Sequence, residues 1–207
     1  MKKYIISILI VASAIAIRAG GVIPAKIVVP CDSVLAKASL DTAIRQNGVR
    51  EATNRNDGVQ VEKYLASVGL PVGNPYCAAG QYYSFGQAAK ALSMPTSSIP
   101  IAKTGSTVAM YNEARLEGTL SKSKQPEVGD LVFWRRGRTN TGHVERIVAV
   151  GKAGWVTTIA FNTSASATES QREGDGVSFK KRCLSHPLTR MQLRGLVSFK
   201  DYERGNN

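Results

Sequence analysis

Hydrophobic residues recur at spacings of three and four along the first half of this chain, and at spacings of two or in short unbroken runs along the second. The first period belongs to helices with one buried face, the second to strands. Asp32-Ser33 starts a helix that runs to Arg45. Val61, Tyr64, Leu65 and Val68 place a second helix over Val59 to Val68. A third runs from about Pro75 to Leu92 on a stripe of Ala78, Tyr82, Phe85, Ala89 and Leu92, and a weaker fourth spans Thr107 to Leu116. Between the last two, Ser93 to Ser106 is rich in Ser, Thr, Pro and Gly and reads as a loop. From Asp130 five strands follow: Asp130–Trp134, His143–Val150, Trp155–Asn162, Val177–Cys183 and Leu196–Phe199, with Gly-rich turns at 151–154 and 174–176. Helices first and an antiparallel sheet afterwards predict an α+β fold.

The extreme N-terminus does not fit that scheme. Lys2 and Lys3 precede an apolar run from Tyr4 to Ile17 that is short for a membrane-spanning helix and suited to an export signal. Ala19 is the favoured cleavage site, and a retained anchor is the alternative. Val28-Val29-Pro30 before Cys31 is no lipoprotein signal. The rest of the 207 residues is enough for one domain with its own core. The formal charge of +12 drops to +9 without Lys2, Lys3 and Arg18, a balance that favours anionic surroundings. Basic residues are spread widely, with short clusters at 135–138 and 180–182 and no accompanying zinc-finger or RNA-binding motif, so a specific nucleic-acid role lacks support. For an exported chain, the three cysteines leave two arrangements open. Either Cys31 pairs with Cys183 and leaves Cys77 free, or all three are thiols.

The chemistry concentrates in two segments. In Gly73-Asn74-Pro75-Tyr76-Cys77-Ala78-Ala79, Asn74 is read as the N-cap and Pro75 as the first helical residue. Cys77 then falls in the first turn, where the positive end of the helix dipole favours a thiolate. The second segment, Gly142-His143-Val144, opens a strand. If the Gly151–Gly154 turn pairs Val150 with Trp155, the register sets His143 opposite Asn162, with Cβ atoms about 5 Å apart. An asparagine carbonyl there fixes the tautomer of the imidazole, as in a Cys-His-Asn site. Glu145, on the same strand face as His143, and Asp130 are the other candidates for orienting the base. His186, before Pro187, reads as structural or solvent-exposed.

At these residues the chain resembles the CHAP family, the cysteine- and histidine-dependent amidohydrolases and peptidases of the papain-like superfamily. The matching elements are Asn56-Asp57-Gly58 ahead of the Val61–Leu65 helix, the Gly73–Ala79 segment, Pro126 with Gly129-Asp130, Gly142-His143-Val144 and Gly174-Asp175-Gly176-Val177. The resemblance implies a papain-like fold in which N-terminal helices pack on a small antiparallel sheet. It implies Cys77 as nucleophile, His143 as base and an amide bond of peptidoglycan as substrate. Many relatives carry a glutamate two residues before the asparagine matching Asn162. Here that position is Ala160, which leaves Asn162 as the orienting residue. Aspartates that bind calcium in some relatives are missing from 67–76, so no metal and no cofactor are expected.

These readings divide the chain into an export signal (1–19), a helical extension (20–49), a catalytic domain (50–199) and a tail (200–207). The expected protein is a monomeric, exported cysteine hydrolase of peptidoglycan, an amidase or endopeptidase, held by its charge on anionic envelope polymers. The backbone N–H of Cys77 serves the oxyanion, with Asn74 or Tyr76 as candidates for a second donor. The alternatives are an inert basic wall-binding protein and a thiol peptidase or acyltransferase acting on proteins.

Overall fold

The computed structural model describes residues 23–164 and 174–201. The predicted export signal and the tail beyond 201 lie outside the described residues. All four expected helices form: α1 (Ser33–Arg45), α2 (Val59–Ser67), α3 (Cys77–Ala91) and α4 (Thr107–Glu117). Two have side-chain caps. Asp32 accepts from the Leu35 N–H at the start of α1, and Ser106 accepts from the Ala109 N–H at the start of α4. The intervening loop carries a single 3-10 turn at Thr96–Ser98.

The strands are β1 (Lys26–Pro30), β2 (Thr119–Leu120), β3 (Leu131–Arg135), β4 (Gly142–Val150), β5 (Trp155–Thr163), β6 (Gly176–Cys183) and β7 (Gln192–Lys200). They form one sheet in the order β2-β1-β7-β3-β4-β5-β6. The α+β class holds, but the sheet is mixed rather than antiparallel, because β1 runs parallel to β7. The 20–49 segment is therefore not only helical. Its strand was hidden by Lys26, whose charge breaks an otherwise apolar run. Lys26 is nevertheless buried, its ammonium held by Asp130 at 3.1 Å, Glu127 at 3.0 Å and the Gln125 carbonyl at 2.6 Å. A buried cation satisfied on three sides reads as a core residue.

Alternate residues of β3 go to opposite faces of the sheet. Leu131 and Phe133 join Phe85 and Val197 under α1 and α3, whereas Val132 and Trp134 meet Leu184, Leu188 and Met191 from the segment before β7. Further along, Ile159, Phe161 and Val177 pack against α2 and α3. At Gly80 the fit is tight enough that a Cβ would overlap the Phe161 ring. Arg146 is buried between the rings of Phe85 and Phe199, 4.7 and 5.5 Å from their centroids, and donates to Ser39 and to the Ala36 and Gly129 carbonyls. Cys31 and Cys183 are not bonded to each other, and all three cysteines are free thiols.

Candidate active site

Helix α3 starts at Cys77 itself. Its N-cap is Tyr76, with no side-chain capping bond, rather than Asn74. Asn74 closes the preceding loop by donating to the Pro71 carbonyl at 3.0 Å. The shift of two residues leaves Cys77 in the first turn, where backbone N–H groups have no acceptor within the helix. The buried face of α3 also differs from the expected stripe. Cys77 and Gln81 belong to it, Tyr82 is only half-buried and Leu92 is exposed.

Tyr76 is not available as a substrate donor through its hydroxyl. The side chain is fully buried, its ring near Tyr64, and its hydroxyl donates to Glu51 at 3.1 Å. Burial and the adjoining carboxylate push the phenol far up, so it stays protonated. Glu51 also accepts from the Asn56 N–H, while Asn56 and Gly73 exchange hydrogen bonds. The Asn56-Asp57-Gly58 segment thus braces the loop that delivers Cys77.

Cys77 and His143 line the same cleft, of about 790 Å³. Nε2 of His143 lies 3.1 Å from Oε1 of Glu145, within ion-pair distance although not aligned for a hydrogen bond. Glu145 is completely buried and fully engaged. The Arg182 guanidinium donates to both its oxygens at 2.6 to 2.9 Å, and the Thr158 hydroxyl donates at 2.6 Å. Burial disfavours both charged forms of the pair. The His143 contact and the Arg182 guanidinium outweigh it for Glu145 and hold this carboxyl well below the usual range. For His143, the neighbouring Cys77 and Glu145 win over burial and raise the ring to about 9. The ring therefore carries its second proton at neutral pH.

Glu145, not Asn162, is consequently the partner of the base. The β4–β5 ladder explains how both residues come close. Glu145 pairs with Ala160 and Ile147 with Thr158, the register expected at the site end. At the turn end, however, Val150 pairs with Val156 and not Trp155, and an irregularity between Ile147 and Ala149 restores the register. Glu145 thus stands directly across from the position left apolar by Ala160. Asn162 lines the cleft, but it adopts a left-handed backbone (φ 54°) where the β5–β6 register shifts. Its side-chain oxygen is buried and accepts no hydrogen bond from the described residues. Asp130, the third candidate, is committed to Lys26 and Ser198. His186 is exposed, as expected.

Sequence reasoning missed Arg182 and Thr158. The signal was present, because a carboxylate inside Val144-Glu145-Arg146-Ile147-Val148 requires a counter-ion once buried. The sequence weighs the cluster at 180–182 only as part of the chain's basic charge, with no partner for Glu145 drawn from it. Also missed was the wall opposite Cys77, built from the start of α4 and from Arg136, Arg190 and Met191. Gly142 lets this wall close up, since a Cβ there would collide with the Thr107 side chain. No three His, Cys, Asp or Glu side chains among the described residues form a group able to hold a metal.

A cysteine at the head of a helix and a histidine at the head of an antiparallel strand share one cleft on an α+β frame of papain-like class. Residues 69–162 match the CHAP domain, a span that holds Cys77, His143, Glu145 and Asn162. The match supports a cysteine- and histidine-dependent amidohydrolase or peptidase. Comparison with curated proteins and with solved structures finds no match.

Proposed function

We propose that this protein is an exported hydrolase that cuts an amide bond of peptidoglycan through a Cys77 acyl-enzyme. The observation that carries the chemistry is that Cys77 and His143 line one cleft, with the ring raised to about 9 against burial by its neighbours Cys77 and Glu145. An imidazolium beside the sulfur favours the thiolate, the reactive form. The thiolate attacks the amide carbonyl, and the C–S bond forms as the carbonyl electrons move to oxygen. The backbone N–H of Cys77 faces that oxyanion from the helix start. Collapse of the intermediate breaks the C–N bond while His143 gives its proton to the departing amine. The now neutral ring takes a proton from water, which releases the acyl group as a carboxylic acid and regenerates the thiol pair.

Glu145 acts through His143 as a positioning residue. Asn162, with its unpartnered oxygen in the cleft wall, is placed to accept a hydrogen bond from substrate or from the moving ring. The peptidoglycan assignment rests on the CHAP match and on a net charge that stays strongly positive, +9, once residues 1–19 are removed, which suits an anionic wall. The apolar run at 4–17 supports export.

Replacing Cys77 with Ala is expected to abolish release of soluble fragments from purified peptidoglycan while the far-ultraviolet circular dichroism stays unchanged. Undiminished release would overturn the assignment of the nucleophile. Mass spectrometry of the wild-type products then tells a cut at the sugar–peptide amide from one within the peptide. Turnover of ordinary peptides with intact peptidoglycan left uncut would favour a protein substrate instead.

A further inference from the structure

The cleft around Cys77 has a consistent electrical sign. Arg136 enters it from the β3–β4 connection and Arg190 from the turn before β7, and among the described residues no Asp or Glu lines it. Neither arginine has an ion-pair partner among the described residues. The starts of α3 and α4 also border the cleft, at Cys77 and Thr107, and helix starts carry partial positive charge.

Both arginines sit on braced backbone. Arg136 heads a loop closed by its N–H to the Thr141 carbonyl at 3.0 Å, and the Arg135 guanidinium grips the Thr139 and Arg138 carbonyls from below. Arg190 occupies a two-residue turn between Leu188 and Met191, whose backbones exchange hydrogen bonds at 2.8 and 2.9 Å and whose side chains are buried. Two guanidinium groups held on braced backbone at a cleft, with no carboxylate among the described residues to neutralise them, suit a ligand that brings its own.

We infer that Arg136 and Arg190 form a carboxylate-binding subsite, and that the preferred substrate carries a free carboxylate beside the scissile amide. This inference rests on the hydrolase reading of the same cleft and specifies its substrate class. The two guanidinium groups bind the carboxylate and hold the neighbouring carbonyl over Cys77. A substrate with that carboxylate capped as an amide loses these contacts and is held loosely.

The test uses two synthetic peptidoglycan stem peptides, one with free carboxylates and one with each converted to the carboxamide. Binding is measured to the full chain carrying Cys77→Ala, which cannot turn either over. The acid form is expected to bind about tenfold tighter, the scale of a charge-assisted contact. Arg136→Gln or Arg190→Gln, added singly, should bring that ratio to within about threefold and leave amide binding unchanged. Arg138→Gln removes the same charge from the same loop outside the cleft and should preserve the ratio. Equal affinity for the two peptides overturns the subsite, as does an equal loss with Arg138→Gln, which would mean diffuse attraction. Peptides amidated at one carboxylate at a time identify the group that is read. Failure of the hydrolase reading shows separately, as a wild-type chain that prefers the acid peptide yet cuts neither peptide nor intact peptidoglycan.

Discussion

Two neighbours, a thiol and a buried carboxylate, set the state of the base. His143 is raised to about 9 against burial because Cys77 and Glu145 both favour the charged ring. Removing the carboxylate with Glu145→Gln should therefore lower the ring's titration midpoint and cut kcat/KM by about a hundredfold or more, the scale of general acid–base contributions. A midpoint in the proton resonance of His143 that does not move would take Glu145 out of its role. Stability follows with a definite sign. A ring whose folded midpoint lies above its unfolded one, about 6.5, adds stability fully below that pH and loses it as the pH rises towards about 9. Glu145, held low, adds stability above the ordinary carboxylate midpoint and loses it only as the pH falls below. Both contributions are present together from about pH 5 to 6.5. Urea unfolding across pH should show the wild type losing ground above that window, with the loss smaller in Glu145→Gln.

Between elements, the reactive geometry depends on how closely α3 approaches β5. Gly80 lies one turn after Cys77 and faces the Phe161 ring with no room for a Cβ. Gly80→Ala should force helix and strand apart, costing about 1–3 kcal/mol in urea unfolding and lowering turnover as Cys77 moves away from His143. Unaltered stability and turnover would mean that the ring swings aside freely. The element scale is also where sequence reading was strongest. The helix at Ser33–Arg45 and the strand at Gly142–Val150 fall within a residue of their expected bounds, because a repeated apolar face signals itself through periodicity alone. Asn74 as N-cap failed because Asn is as suitable in a loop-closing turn as in a cap, and the chain gives it to the Pro71 carbonyl.

At the scale of the whole molecule, the family match at 69–162 is shorter than the folded unit. β1 lies inside the sheet between β2 and β7, and Lys26 on it neutralises the buried Asp130 of the segment leading into β3. A chain beginning at residue 50, the expected edge of the catalytic domain, would lose β1 and α1, exposing the faces of Phe85, Leu131 and Val197. It is expected not to fold cooperatively, whereas a chain beginning at residue 20 should give a single sharp thermal transition. The more local variant Lys26→Met leaves Asp130 buried without its cation and should cost about 3–5 kcal/mol. Wild-type-like melting of the residue-50 chain would make the extension an accessory.

What the sequence determined alone was local. Spacing placed the helices and most strands, and the order of Cys77 and His143 within them named the nucleophile and the base. The register also came close, bringing His143 and Asn162 to one cleft. Tertiary structure decided what spacing cannot carry. It put β1 beside β7, buried Lys26 against Asp130, and gave the imidazole to Glu145 because Arg182, on β6, neutralises that carboxylate from another strand. Each depends on a pairing across long stretches of chain, of strands in the first case and of charges in the others. A local pattern cannot tell a lysine or glutamate that will find its partner inside from one that will remain in water.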